Sequence, residues 1–452
     1  MGFRKRNAKT NSIYRKTYLP LRSMTRIKAF RAWRYNRSKI HDINRKFSPL
    51  FDVVNARQLE ELYNIPNNSI HISVPRSHEQ VMAKLQQWKR DGIICQDPIP
   101  SIYVYYQQFS LFGEKHQYIR KGFISMISME ESEIVLHEDT MTSSVNDRIT
   151  LLEKTLLNVA PTHGLYFDPE FELEILMDSY MQNPLYEYID YQGVINKLAI
   201  IQDPEDIAKI VDHIASRKIY LADGHHRLES SRIFWESRKS EADTTMDSIM
   251  GYHLIYLTNL ASDDLRILPT HRLWKPQYDP DIGRIIKKLK KYFSFIDITS
   301  SRRPVYEMLK GLKRTFGLIS KDRQWLIQLK PKIDPLKAIP LDIPDVLKQQ
   351  DYTLLHYFVF DRVLGYPYAK QQDTLEISYE KEYASAVAEV NAGRAAFSFI
   401  ANDVQMEEMM AICDAGAKMP RKSTYFYPKV VCGLVFGSID ENENNSSFDI
   451  GL

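Results

Sequence analysis

The sequence is short of cysteine, of long apolar runs and, at its start, of acidic residues. Its three cysteines, Cys95, Cys413 and Cys432, are scattered over 452 residues without metal-ligand spacing. So sparse and odd a count excludes a disulfide framework and fits a reducing, cytoplasmic compartment. No apolar stretch approaches the roughly 18 residues that span a bilayer, so no membrane partner is expected. Residues 1–41 contain no Asp or Glu, yet they hold 13 of the 60 Lys and Arg side chains. In the rest of the chain the 57 acids therefore outnumber the bases. An acidic body argues against binding along a phosphate backbone, which leaves the basic arm as the candidate contact for nucleic acid. Residues 1–24 are expected to be a disordered extension. Their Arg-rich, acid-free composition also resembles an organellar transit peptide, and they lack the apolar core of a secretory signal.

What remains is the material of a globular protein, with 44% hydrophobic and 26% charged residues and a high aromatic content of 27 Tyr and 20 Phe. The length suggests two or three domains. Apolar periodicity predicts an α+β fold with mixed sheets. Expected strands include residues 27–35, 69–74, 101–109, 122–127, 198–201, 252–257, 395–400 and 430–436. Expected helices include 56–64, 77–91, 281–293, 354–364 and 404–415, while the tail from Glu441 reads as disordered. A composition shift near Trp274 divides a motif-bearing unit, residues 25–275, from a C-terminal α/β unit, residues 276–438. A tail of residues 439–452 follows.

The most informative stretch is Lys218-Ile219-Tyr220-Leu221-Ala222-Asp223-Gly224-His225-His226-Arg227. A short apolar run of β-forming residues ends in a polar cluster, and a helical pattern follows to Arg238. A strand that runs into a glycine and then a helix leaves backbone N–H groups unpaired at the positive end of the helix dipole. Gly224, His225 and Arg227 at that corner suit an anion, most simply a phosphate, with Asp223 and His226 as candidate catalytic groups. Upstream, residues 198–201 read as a strand and Gln202-Asp203-Pro204 as a helix start. Open α/β units bind ligands at the carboxyl ends of their strands.

Other clusters flank this corner in sequence. Leu136-His137-Glu138-Asp139-Thr140 places titratable groups at a strand end, which makes His137 and Glu138 candidates for proton transfer. Arg148, in the following helix, is suited to clamp an anionic substrate group. His163 is a second-tier candidate, and His271-Arg272 are candidate substrate contacts. Lys422-Ser423-Thr424 looks like the end of a phosphate loop, but the glycine-rich approach is missing, so it is no Walker loop. Lys422 and Lys429 remain candidate point charges for a phosphate.

Ala222 to Arg227 resembles the hallmark of a bacterial family catalogued as domain of unknown function 1015. Four further stretches agree in order. They are Phe47 to Val53, Leu136 to Thr140 with Asp147-Arg148, Leu268 to Arg272, and Met419 to Lys429. The family pattern has Pro-Tyr-Asp-Val where this chain reads Leu50-Phe51-Asp52-Val53. More locally, strand, Asp-Gly-x-x-Arg, helix is similar to the phosphate-binding corner of the ParB and sulfiredoxin superfamily, over about residues 198–238. That resemblance implies a ParB/sulfiredoxin-like strand-loop-helix core and a bound nucleotide. One branch of the superfamily, the free serine kinases, further implies phosphorylation of an amino acid such as serine.

The function expected is therefore a kinase-like phosphotransferase that uses ATP or ADP with Mg²⁺ on a small-molecule substrate. Asp223 would hold the Mg²⁺ and Glu138 would act as base. A metal-dependent phosphohydrolase built on Asp223, His225 and His226 is a second reading. A non-enzymatic, nucleotide-sensing module with a nucleic-acid-binding arm is a third.

Overall fold

The computed structural model describes residues 25–444 except Phe112 and residues 241–247. The basic arm and the last eight residues lie outside the described part. The fold is α+β, with a nine-stranded mixed sheet and a six-stranded antiparallel one. The large sheet runs in the order Ile134–Val135, Ile219–Asp223, Thr162–Tyr166, Tyr252–Asn259, Gln117–Ser128, Ile102–Ser110, Ile195–Ile201 and Tyr186–Ile189, with Ile27–Lys28 added beside Gln117–Ser128. Two of its pairings are parallel: Ile219–Asp223 with Ile134–Val135, and Tyr252–Asn259 with Thr162–Tyr166.

Both faces of this sheet are covered, which explains why its central strands read as nearly continuous apolar runs. One face carries Val104, Phe123, Leu221 and Ile255 against the helices Glu172–Tyr180 and Pro204–Ala215. The second of these helices starts as its sequence predicts, with Asp203 accepting from the backbone of Glu205 and Asp206 and Pro204 in the first turn. The other face carries Tyr103, Tyr105, Leu254 and Tyr256. Against it lie Val430, Val431 and Leu434 to Phe436, from the far end of the chain.

The six-stranded sheet runs Phe293–Asp297, Gln324–Leu329, Thr315–Ile319, Phe397–Ile400, His271–Trp274, Ile377–Glu380. Its core includes Trp274, Phe316, Phe358 and Phe397, and this core is continuous with Leu165, Tyr220 and Ala222 of the large sheet. The pair Arg266–Leu268 and Tyr425–Tyr427 forms a further two-stranded ribbon.

Three expectations are corrected. Residues 69–74 form the short helix Ile70–Ser73, not a strand. Asn68 organises it: its amide donates to the carbonyls of Arg45 and Phe47, and its side-chain oxygen accepts from the backbone of Ile70. Residues 430–436 form no strand, and their ladder-type backbone pairing is limited to single bridges, Ser48 to Cys432 and Trp33 to Phe436. The apolar run is buried without joining a ladder, and it turns at Gly433 with φ +93°. The tail is helical at Glu441–Asn444, where Glu443 accepts from the indole of Trp33 and pairs with Lys89.

Candidate functional site

The strand Ile219–Asp223 ends in an irregularity that aims its last side chain. Leu221 pairs with Gly164, but Asp223 pairs with His163, the very next residue, so Ala222 is an extra residue in the ladder. A bulge of this kind re-aims the side chain that follows it. Without it, Asp223 would follow Ile219 and Leu221 into the apolar face. With it, Asp223 shares the other face with His163 and Tyr256.

Gly224 then turns the chain with φ +94°, a backbone conformation that L side chains avoid. A Cβ there would also sit 2.6 Å from Thr162 Cγ2. The helix His225–Arg238 starts immediately, and no side chain caps it. Its first backbone N–H groups and the positive end of its dipole therefore remain available to a ligand.

The clusters expected from sequence converge on this turn. Asp223 accepts from Arg227 Nη2 at 2.9 Å through one oxygen and from Lys429 through the other. Burial alone would raise the Asp223 carboxyl, but Lys429 and then Arg227 outweigh it and hold it well below the usual carboxylate range. Arg227 spends its other terminal nitrogen on the carbonyls of Pro161, at 2.5 Å, and Ala160, at 3.4 Å. His137 is buried, with its ring 4.6 Å from that of His225. Its Nδ1–H donates to Leu221 O at 2.7 Å, so its Nε2 is the acceptor for the Thr424 hydroxyl at 2.9 Å. Burial holds this imidazole below the usual histidine range, with Glu138 opposing. Glu138 lies at the opening, 3.4 Å from the same hydroxyl.

His225 and His226 are the first two residues of the helix, and each has an Nε2 that is shielded from solvent and has no hydrogen-bond partner among the described residues. Burial, then His137, pushes His225 well below the usual range, and burial also lowers His226. Around the opening stand Arg421, whose Nε is unpartnered, and Lys422, which is exposed at φ +57°. Asp52 is exposed and lies within electrostatic reach of His226.

Several expected contacts are committed elsewhere. Arg148 gives Nε and Nη2 to Asp147 and Nη1 to Ser73 O at 2.6 Å, with its guanidinium 4.5 Å from the Phe51 ring centroid. These contacts take up its Nε–Nη2 edge and one Nη1 proton. Arg148 and Arg227 do share a 40 Å³ cavity with Ser231 and His253, room for little more than a water. His271 is turned away beneath the second sheet, where Ala401 N–H donates to its Nδ1. Strand alternation puts its neighbour Arg272 on the other side, buried over Tyr352 at 4.1 Å and donating to Arg421 O at 3.3 Å. Arg272 supports the Arg421 loop and is not open to ligand. Ser423 is fully buried with its hydroxyl on Pro420 O, and His163 is buried with Nε2 2.8 Å from Thr258 Oγ1.

The expectation that Asp223 holds Mg²⁺ does not fit, because both of its oxygens already face cations. Among the described residues no group of three or more His, Cys, Asp or Glu side chains is arranged to hold a metal ion. No helix among them is long and apolar enough to cross a membrane. A larger cleft, about 1480 Å³, opens at the opposite end of the same strands and is lined by Phe167, Asp264, Arg266, Asp403 and Glu407. It contains none of the motif residues.

Sequence reading missed Lys381, which donates to the Tyr425 hydroxyl at 3.1 Å. No local signal marks it, since it follows an ordinary strand, Ile377–Glu380. Arg421 was visible only as part of the Met419–Lys429 stretch.

A mixed-sheet α+β protein with a buried Asp-Gly-His-His-Arg turn at the end of a bulged strand is thus defined. The chain belongs to the family described as "Protein of unknown function (DUF1015)", whose model matches residues 27–351. No curated protein matches it. Among solved structures it is similar to a conserved hypothetical protein from Pyrococcus furiosus, with 14% identity and TM-score 0.33 over 67% of this chain and 90% of that one. It is similar to a free serine kinase in complex with AMP, with 14% identity and TM-score 0.34 over 67% and 86%. It is also similar to C-terminally truncated SbnI from Staphylococcus aureus, with 9% identity and TM-score 0.34 over 71% and 90%.

Proposed function

We propose that this chain is a nucleotide-dependent phosphotransferase acting on a small metabolite. One observation carries the reading: an uncapped helix start whose first two side chains, His225 and His226, each keep a buried Nε2 without a partner. Buried polar atoms in folded proteins normally find partners, so these two point to a ligand. Among the described residues no carboxylate pairs with the nearby cationic groups Arg421 and Lys422, which favours an anion.

In this reading the backbone N–H groups of the helix start, His226, Arg421 and Lys422 receive the phosphates of ATP or ADP. Asp223, Arg227 and Lys429 hold the turn in shape and do not touch the donor. Glu138, at the opening, takes the proton of the acceptor hydroxyl. The acceptor oxygen then bonds to the terminal phosphorus while the bond from phosphorus to the bridging oxygen breaks. The products are a phosphate ester and a nucleotide shorter by one phosphoryl group. Such transfer depends mainly on positioning and charge neutralisation, which this basic corner supplies. An amino acid such as serine is the acceptor that the local motif resemblance suggests.

The phosphohydrolase reading loses support because Asp223 is doubly paired to cations and His225 faces His137. The regulatory reading differs from the kinase reading in turnover, not in nucleotide binding. Calorimetric titration with ATP and ADP, with and without Mg²⁺, tests binding. Phosphorus NMR of the mixture with an amino-acid panel tests transfer. Binding with a new phosphate ester is the expected result. Failure of both nucleotides to bind at millimolar concentration would overturn the proposal, and binding without any ester would favour the regulator.

A further inference from the structure

We propose that Lys381 and Tyr425 form a separate subsite that receives a carboxylate of the acceptor substrate. The inference rests on the phosphotransferase reading for the word acceptor, but its geometry stands apart from the helix start. Two lysine ammonium groups meet one phenol here. Lys381 Nζ lies 4.5 Å from the Tyr425 ring centroid and Lys429 Nζ lies 4.8 Å from it. Lys429 is committed to Asp223. Among the described residues Lys381 makes no ion pair, and its ammonium donates to the Tyr425 hydroxyl.

The nearest acid on its own element does not answer it. Glu380 turns its carboxylate to the backbone N–H groups of Lys381 and Glu382, at 2.8 and 3.0 Å. Lys381 is only partly exposed. Two like charges on one ring, one of them half-buried and unpaired, are unfavourable unless an anion joins them. Burial, then Lys429, lowers the Lys381 pKa, against the more distant pull of the Glu380, Glu382 and Asp52 carboxylates.

The donor set fits a carboxylate better than a phosphate. The phenol oxygen accepts a hydrogen bond from Lys381 and keeps its own proton, since burial raises Tyr425 far above the usual range. One ammonium and one hydroxyl therefore offer two donors, enough for the two oxygens of a single negative charge. The multiply charged phosphates have the helix start, Arg421 and Lys422. Lys429, pinned to Asp223 and resting on Tyr425, links the two subsites. Lys381 stands just after a strand of the second sheet, and Lys381 and Tyr425 both lie beyond the matched span of residues 27–351. The second sheet thus contributes a specificity-determining residue to a corner built on the first.

The test uses the full chain, with malonate as carboxylate probe and ADP as phosphate probe, each titrated calorimetrically. Lys381→Met keeps the length and apolar stem of the side chain, and Tyr425→Phe keeps the ring. Each variant is expected to weaken malonate binding at least about tenfold, one lost charge-assisted hydrogen bond, while ADP affinity changes less than about twofold. Malonate affinity unchanged in Lys381→Met overturns the subsite, whether or not ADP binds. Weakening of ADP in place of malonate overturns it too, and reassigns Lys381 to the phosphates. Absence of ADP binding to the unaltered chain fails the phosphotransferase reading instead, and the malonate comparison still decides the subsite.

Discussion

Asp223 is the residue on which the corner turns, because it is the shared counter-ion of two partly buried cations. Asp223→Asn keeps the shape and removes the charge, leaving Arg227 and Lys429 facing each other. A loss of about 3–5 kcal/mol is expected, as for other broken buried pairs, measured by urea unfolding. Gly224→Ala meets both a positive φ and the Thr162 methyl, and should cost about 1–3 kcal/mol by the same measurement. The buried imidazoles set the pH response. His163 and His225 are pushed well below the usual range, His253 and His356 to about 3 and His271 to about 4, in each case chiefly by burial. The unfolded chain protonates these rings as pH falls through about 6.5 and the folded chain does not, so stability must decline below that pH. A denaturation midpoint that is flat between pH 7 and 5 would contradict this. Binding of an anion beside His225 and His226 should also draw in protons. Calorimetric heats of ADP binding are expected to vary with the ionisation enthalpy of the buffer in the sense of proton uptake, and no variation would argue against contact with the imidazoles.

At the scale of the element, the site depends on two features that differ in how readily sequence reveals them. The strand-glycine-helix unit was legible: apolar Ile219 to Ala222, a turn glycine and a helix to Arg238 all stand where the pattern puts them. The bulge at Ala222 was not, because it is a relation between two strands and leaves no mark in either one alone. The segment Met419 to Lys429 was recognised as a motif, yet the work of its members could not be read. Ser423 and Thr424 look alike in sequence, but one is sealed against Pro420 and the other bonds His137. His137 anchors this segment twice, through Thr424 and through its own carbonyl, which accepts from Met419 N at 2.8 Å. His137→Ala removes the side-chain bonds to Thr424 and to Leu221 O and keeps the carbonyl bond to Met419, and it should speed amide exchange across residues 419–429 more than in the strand Ile219–Asp223, whose ladder bonds remain. Equal change in both would show that His137 supports the sheet and not the loop.

The whole molecule is tied together by chain that returns from its end to its beginning. Val430, Val431 and Leu434 to Phe436 fill the face of the large sheet, and the Leu165–Tyr220–Ala222 patch is part of the second sheet's core. A fragment of residues 25–275 lacks the 430–436 segment and nearly all of the second sheet that covers this patch, and is expected to show no cooperative thermal transition, whereas the full chain should. Sequence placed the main helices and strands but could not see this closure, since an apolar run such as 430–436 looks like a strand whether or not it finds a ladder. It also could not see that His271 and Arg272, adjacent in a strand, face opposite sides. The central claim is that an anion docks on the first turn of the helix His225–Arg238. ¹⁵N-histidine NMR of the full chain during an ADP titration tests this most directly, with signals assigned by His225→Asn and His226→Asn. Saturable shifts of the His225 and His226 Nε2 resonances are expected, while those of His271 and His356 stay fixed. Saturable ADP binding that leaves the His225 and His226 signals unmoved would contradict it.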